Sequence, residues 1–427
     1  MAEHDEQDLA AVEADEQQWL TPGVAGVGAS SFFSDSGHEI TTAVLPSFLT
    51  GTLHAGAGAL GLIDGASDAL IARQAGRRAV GGRCPVAGPV GTGRIPRHGS
   101  TRRGNRPRRS GLAGSASSRG VLDRTRAAFP SRDALLATLA PRSGYGRAYG
   151  LERAGDNAGA LVGPLLAALT VVLIGVRPIL LIAAVPGVFA AIAITIAARE
   201  AGRAVAAPAG RRRISLNISA LHQHGLIRAL LPAAPFECGN VATTLMILRA
   251  TDLLRDGGRG LAAATSLAIP IYAAHNAVAA VAALAGGALI DRLGSRAVFA
   301  AGAAAYVLAY AAFATGIRAW AWLLIAFCLA GIGIGLAETA QSTLVAHALP
   351  DRLRGSGFGL LGVVRAGGDL VSSAVVGVLW AALSPVVGFA YAAAWMAASL
   401  IAAIATVGTR QVPSPSGQIN GVDQPGS

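Results

Sequence analysis

Gly286-Gly287-Ala288-Leu289-Ile290-Asp291-Arg292-Leu293-Gly294-Ser295-Arg296 joins two long apolar runs, Ala262 to Leu289 and Ala297 to Gly316. Each run is long enough to cross a hydrocarbon layer, which takes about 20 apolar residues as a helix. A short loop with Asp291, Arg292 and Arg296 between two spans predicts a tight cytoplasmic turn, because basic loops stay inside. The glycines let two helices approach closely. An ordinary basic turn is the plain alternative, and the rest of the chain decides between the two.

Working outward, the 427 residues are 52% hydrophobic and 14% charged, with a mean hydropathy of +0.51. A soluble chain normally carries about a quarter charged residues, so this composition excludes an ordinary soluble protein. The length suits ten to twelve spans with short loops. There is no lysine, so all 35 basic residues are arginine, which points to a G+C-rich genome. Cys84, Cys238 and Cys328 lie far apart, without metal-type spacing or a disulfide framework. The acidic start (Glu3, Asp5, Glu6, Asp8, Glu13, Asp15, Glu16) is unlike a cleavable leader and reads as a solvated cytoplasmic tail, residues 1–22.

Span 1 is expected from Gly23 to Leu49 and span 2 from Gly51 to Ile71. The membrane pattern resumes at Ala148–Ile174 and Pro178–Ala198, completing an N-terminal helical half over 23–198. A connector with Arg199, Arg203, Arg211, Arg212 and Arg213 gives a cytoplasmic linker, 199–225. A C-terminal six-helix half, 226–408, follows as Leu226–Leu248, Ala262–Leu289, Ala297–Gly316, Ala319–Leu349, Phe358–Leu383 and Val386–Val407. Residues 409–427, rich in Pro, Ser, Gly and Gln, read as a disordered tail. That makes ten clear spans. Arg142/Arg147, Arg199–Arg213, Arg292/Arg296 and Arg352/Arg354 fall on one side, which the positive-inside rule makes the cytoplasm, with both termini there. The expectation is a multi-pass protein of the cell (inner) membrane.

Between Ala72 and Arg132 there are fifteen arginines against one acid, Asp123. Without this window the net charge of +11 becomes −3, so the basic character belongs to it alone. A nucleic-acid or anionic-lipid segment is one reading of such a run, but base stacking needs aromatics and the window has only Phe129. Parity favours a missing hairpin: the flanking spans keep their orientation if two crossings are absent. The segment, residues 72–132, reads as disordered, or as a shifted frame or an erroneous gene assignment replacing spans 3 and 4, with normal patterning returning at Pro130–Leu136.

Tyr145-Gly146-Arg147-Ala148-Tyr149-Gly150-Leu151, then Arg153-Ala154-Gly155-Asp156, opens span 5. Arg354-Gly355-Ser356-Gly357-Phe358-Gly359-Leu360, then Arg365-Ala366-Gly367-Gly368-Asp369, opens span 11. Copies about 210 residues apart are what duplicated six-helix halves produce. With Phe236–Asn240 and the G-x-x-x-D-R-x-G-x-R loop at 286–296, the chain resembles a bacterial major facilitator superfamily transporter over residues 23–71 and 130–408. The resemblance implies an all-α polytopic fold of two six-helix halves around a cavity exposed to each side alternately, here with spans 3 and 4 replaced. In the first-half copy of the loop, Ala72 stands where the motif has aspartate.

Ionisable groups inside a span are costly, so they usually face a cavity or a partner. Asp35, His38 and Glu39 lie at i, i+3 and i+4 on span 1 and are candidates for proton coupling or substrate contact, because a carboxylate in a low-dielectric cavity can take and release a proton. Simple pairing with helix-end groups is the bland reading. Asp64 and Asp68 share a face of span 2, as a proton site or a solvated helix end. Glu237 and Asn240 in span 7, Asn276 in span 8 and Glu338 in span 10 are read as cavity-lining, and His275 as a packing residue. Glu152, Arg153, Asp156 and Asn157, mirrored by Arg365 and Asp369, are gating ion pairs by the resemblance or a static clamp between helices. Asp291, Arg292 and Arg296 lock the inner gate by pairing with a neighbouring helix end, as the family pattern implies.

Gly88–Arg94 lacks the lysine and preceding strand of a phosphate loop. Gly331, Gly333 and Gly335 sit inside a span, where glycine serves packing. The expectation is therefore no enzyme, no metal site, no cofactor and no nucleic-acid partner. The chain is read as a monomeric secondary active transporter in a lipid bilayer, moving a small organic solute with protons, by efflux or uptake. A non-transporting membrane binding or sensor protein, or an inactive frame-shifted relic, is the alternative.

Overall fold

The structure, a computed structural model, describes residues 19–47, 132–204, 221, 223 and 225–407. The acidic start, span 2 with Asp64 and Asp68, the arginine-rich window up to residue 131, and the tail from residue 408 lie outside the described residues. So does most of the linker. Among the described residues the α-helices are α1 (Pro22–Ser47), α2 (Arg132–Leu139), α3 (Tyr145–Ile174), α4 (Val176–Ile182), α5 (Ala184–Ala204), α6 (Leu226–Leu230), α7 (Ala233–Gly239), α8 (Thr243–Asp256), α9 (Leu261–Leu293), α10 (Ser295–Ala314), α11 (Trp320–Ala348), α12 (Asp351–Ala382) and α13 (Pro385–Val407). Seven helical stretches among them are long and apolar enough to cross a membrane. α1 is not one of the seven: Ser30, Ser31, Ser34, Asp35, Ser36, His38 and Glu39 dilute its apolar content.

The quoted loop forms a sharp turn. Gly294 takes φ +86°, a region that a Cβ disfavours, and its amide donates to Ile290 O at 2.8 Å. α9 therefore stops and α10 starts at a single residue. The 199–204 stretch, expected as connector, continues α5 by more than a turn and leaves Arg203 in the last turn, where a cation complements the helix dipole.

Span 7 departs most from expectation. In place of one helix over Leu226–Leu248, the chain breaks at Leu231-Pro232 and again at Asn240–Ala242. Proline lacks the N–H an unbroken helix needs. Backbone groups freed inside a membrane must find partners in the protein. Here the Tyr310 hydroxyl accepts from Val241 N at 2.9 Å and Ser373 Oγ from Ala242 N at 3.2 Å.

Beside a small core of Ile40, Ala167, Ile179 and Ala183, two large cores hold the bundle among the described residues. One is confined to α7–α13 and centres on Phe236, Phe299, Tyr306, Tyr310, Phe313, Phe327 and Phe389. The other joins residues from both halves: Leu135, Leu136, Tyr145 and Tyr149 pack with Val345, Leu349, Phe358 and Leu361. Outside, Leu169, Leu173, Leu181, Val188, Ile192, Leu370, Val378 and Ile401 are exposed. So broad an apolar surface marks contact with lipid rather than water.

Candidate functional site

α3 lies between the halves. Its Gly155, Gly159 and Gly163 pack on α1, where a side chain would meet Gly28 O, Phe32 O and Ser36 O. Its Gly146 and Gly150 pack on Gly287 and Ala283 of α9. Glycine lets these backbones touch, and the polar residues of α3 are thereby pressed between two neighbours.

Arg153 is the hub on this side. Its Nη2 donates to Asp133 Oδ1 at 3.1 Å and its Nη1 to Asp156 Oδ2 at 3.1 Å. Its Nε touches Glu152 Oε2 at 3.1 Å without hydrogen-bond alignment. Its Nη1 lies 3.8 Å from Glu338 Oε2 of α11, so this guanidinium also reaches the other half. Ser31 Oγ donates to Glu152 Oε1 at 3.1 Å, and Arg132 bonds both Ser31 and Asp156. Asn157 Nδ2 turns back to Arg153 O at 2.8 Å.

A second assembly surrounds Arg365 of α12. Its Nε and Nη2 both donate to Gln341 Oε1, at 2.9 and 2.8 Å, and its Nη2 reaches Glu338 O at 3.3 Å. Gln341 Nε2 donates to Glu237 Oε1 at 2.8 Å. Asn240 Nδ2, at the break in span 7, donates to Asp369 Oδ1 at 2.9 Å. α11 is thus the bridge: the Glu338 side chain faces Arg153 while its own backbone oxygen takes Arg365.

At the end of the bundle bearing the Gly294 turn, Asp291 caps α3. Its Oδ1 accepts from Gly146 N at 2.8 Å; its Oδ2 accepts from Arg147 N at 3.2 Å and Arg147 Nε at 2.8 Å. A carboxylate at a helix N-terminus satisfies orphan amides and complements the dipole, and α3 has no acid of its own there. Beside it, Arg354 (4% exposed) sends Nη1 to Ala137 O of α2 at 2.9 Å and Nε to Ala346 O at 3.3 Å. Its guanidinium lies 5.4 Å from the Tyr145 ring centre, and the Tyr145 hydroxyl donates to the same Ala137 O at 2.9 Å. Here a cation and a phenol meet the carbonyl end of α2.

Several residues singled out in the sequence sit elsewhere. His38 is exposed, whereas Asp35 and Glu39 are half-buried against Gly159 and Gly163 of α3. The i+3 position has rotated out of the face that i and i+4 share. Arg292 is exposed and makes no ion pair among the described residues; Arg296 is half-buried. Among the three loop residues, Asp291 holds the start of α3. Arg365 and Asp369 do not pair with each other but reach Gln341 and Asn240. His275 is a packing residue, its Nδ1 3.0 Å from Phe327 O. Sequence reasoning missed Gln341, Arg132, Asp133 and Arg354. Gln341 was detectable as a polar residue one turn from Glu338 in an apolar helix. Arg354 was hidden among loop arginines. No group of His, Cys, Asp and Glu among the described residues is arranged to hold a metal ion.

Apolar helices facing lipid, a polar interior and contacts between two halves define a multi-pass helical membrane protein. The chain belongs to the Major Facilitator Superfamily, whose family description matches residues 125–368 and 259–424, well over half of its length. An uncharacterized MFS-type transporter of Methanocaldococcus jannaschii is 26% identical over 263 residues, 61% of this chain; the match spans 63% of that relative's length. Two solved structures share the fold. One is a bacterial homologue of the iron transporter ferroportin in an outward-facing state, with a TM-score of 0.59 and 13% identity, covering 91% of this chain and all of that one. The other is the E. coli fucose:proton symporter, with a TM-score of 0.51 and 14% identity, covering 89% of this chain and 97% of that one.

Proposed function

We propose that this protein is a proton-coupled secondary transporter of a small organic solute that works by rocking its two halves. The carrying observation is the contact of Arg153 with Glu338 at 3.8 Å, an ion pair between halves held in the interior near Asp35 and the Arg365–Gln341–Glu237 chain. Charges are retained in a membrane interior at a cost of some 2.5–3.5 kcal/mol each on insertion scales, so such residues usually face one another or a pathway. Asp35 and Glu39 are the proton-coupling carboxylates in this reading. Asp64 and Asp68, outside the described residues, are further candidates. Glu237, Asn240, Asn276 and Glu338 line the cavity. Glu152, Arg153, Asp156, Arg365 and Asp369 form the pairs that rearrange between states.

The Gly294 end faces the cytoplasm of a cell membrane in this orientation, with Asp291 and Arg354 closing the inner gate. The structure then corresponds to a state closed inside. A chain that kept the fold and lost transport is the second reading, favoured by the arginine-rich window where spans 3 and 4 would run. Proteoliposomes holding a pH dye separate the two. A solute that carries protons through the intact chain, and fails to through Asp35→Asn or Glu39→Gln by ten-fold or more, supports coupling. Flux indifferent to both substitutions removes these carboxylates from the mechanism.

A further inference from the structure

The end of the bundle opposite the Gly294 turn holds a cleft of about 570 Å³ between the end of α8 and the starts of α9 and α13. Arg249, Arg255 and Arg259 line it together with Asp252 and Asp256, and among the described residues none of the five closes an ion pair within 4.0 Å. Arg249 is the unusual member. It is 6% exposed, and its one described hydrogen bond runs from Nε to Phe313 O at 3.3 Å, at the carbonyl end of α10. That cap uses one of the five N–H groups of a guanidinium. The terminal nitrogens have no acceptor among the described residues. Asp252 and Asp256 lie within electrostatic reach of Arg249 without touching it. Arg255 and Asp256 are exposed, where salt and water screen them. The shielded charges are Arg249, Arg259 and Asp252, which leaves a net positive lining.

Gly260 and Leu261 bring a second set of donors to the same cleft. α9 starts with no side-chain cap and no acid in its first turn, and the Gly260 carbonyl takes Ala264 N at 2.9 Å. The amides of Leu261, Ala262 and Ala263 precede that bond and are orphans of the helix start. A helix N-terminus of this kind favours an anion. A buried guanidinium from α8 and an uncapped helix end from α9 therefore converge.

The cleft lies at the depth of lipid headgroups. α9 has 33 residues and is about 50 Å long, whereas the hydrocarbon layer is about 30 Å thick. Trp322 Nε1 donates to Ala312 O at 3.3 Å, one residue from the carbonyl that Arg249 holds, and Trp320 beside it is exposed. Tryptophans gather at the boundary between hydrocarbon and water. Leu261, Leu383 and Val386, at the starts of α9 and α13, are exposed as well and form an apolar rim.

We infer that this cleft binds the phosphate of an anionic membrane phospholipid. The phosphate oxygens accept from the terminal nitrogens of Arg249 and the first amides of α9, and the acyl chains run along Leu261, Leu383 and Val386. The inference does not depend on the transport reading. A soluble phosphate ester would use the same donors without the rim, and a lipid lacking phosphate would leave the guanidinium unmet. Asp252, three residues from Arg249, opposes the bound anion and holds its affinity down.

Native mass spectrometry of the full chain in detergent tests this with dioleoylphosphatidylglycerol, with digalactosyldiacylglycerol as the phosphate-free lipid, and with glycerol 3-phosphate as a competitor. One copy of the phosphatidylglycerol is expected to stay bound, several-fold more tightly than the galactolipid. Arg249→Gln weakens it by ten-fold or more, and Arg259→Gln by less. Asp252→Asn tightens it several-fold, a gain that damage to the fold would not produce. Arg199→Gln, at an exposed arginine of α5, leaves it unchanged. Galactolipid bound as tightly as phosphatidylglycerol overturns the inference. So does weaker binding in Asp252→Asn, indifference to Arg249→Gln, or a loss in Arg199→Gln as large as in Arg249→Gln. Glycerol 3-phosphate that displaces the lipid at equal concentration overturns the lipid assignment and gives the cleft to a soluble phosphate ester.

Discussion

Asp291 spends both carboxylate oxygens on the first turn of α3, and one of its three bonds goes to the Arg147 side chain. The side chains of the pair are 36% and 11% exposed, so the contact is only partly shielded from water. Asp291→Asn keeps an oxygen for one amide but loses the charge and the guanidinium. Hydrogen bonds to charged groups contribute about 1.5–3 kcal/mol, and partial exposure places this loss towards the lower end. The expected outcome is a gate that opens more readily at the Gly294 end. Spin labels at Arg142→Cys and Leu293→Cys, with the native cysteines replaced by serine, should show a longer-distance population growing in the variant. An unchanged distance distribution would mean that Asp291 only tidies a helix end.

Between elements, the most informative feature is the double break around α7. The long apolar run at 226–248 announces a span, and hydropathy stops there. Whether the span is continuous depends on who satisfies three residues of unpaired backbone, and Tyr310 and Ser373 come from 69 and 131 residues away. No local window holds that information. The Gly294 turn is the contrary case, since a glycine between a helix-ending and a helix-starting run can be read locally. The glycine-rich seams of α3 fall between these cases: the small residues are visible in order, but their division between α1 and α9 appears only in three dimensions. The candidate acids follow the same rule. Their presence in spans 1, 5, 7, 10 and 11 was legible, whereas their partners were not. An i, i+4 pair such as Arg365 and Asp369 looked self-contained and proved to serve two different neighbours. Tyr310→Phe tests the break directly. It leaves the Val241 amide buried without an acceptor, a loss of about 1–3 kcal/mol, and should lower the midpoint of thermal unfolding followed by labelling of Cys238 and Cys328. Ser373→Ala should cost less, because its bond is longer and only part-buried.

For the molecule as a whole, the two halves touch unequally along their length. At the Gly294 end they share an apolar core, the Asp291 cap on α3 and the Arg354 clamp on α2; further in, among the described ion pairs, Arg153 and Glu338 carry the contact. The two end devices are complementary. Asp291 brings a negative group from α9 to the positive end of α3, and Arg354 brings a positive group from the start of α12 to the carbonyl end of α2, each satisfying orphan backbone groups of the opposite half. Neither neutral helix end needs to be charged for the latch to hold, and both must let go together if the halves move as rigid bodies. A double-mutant cycle on Asp291→Asn and Arg354→Gln tests that coupling through the fraction of open gate. If the halves rock as units, either substitution alone releases part of the closure energy. The pair should then add within about 0.5 kcal/mol, because the two contacts share no partner and act on one equilibrium. If the inner end instead unzips helix by helix, Asp291→Asn alone should free α3 while the α2–α12 contact stays shut. Labels placed to follow α2 against α12 would then ignore the first substitution and respond to the second. A response of both label pairs to either single change is the outcome expected of two rigid halves.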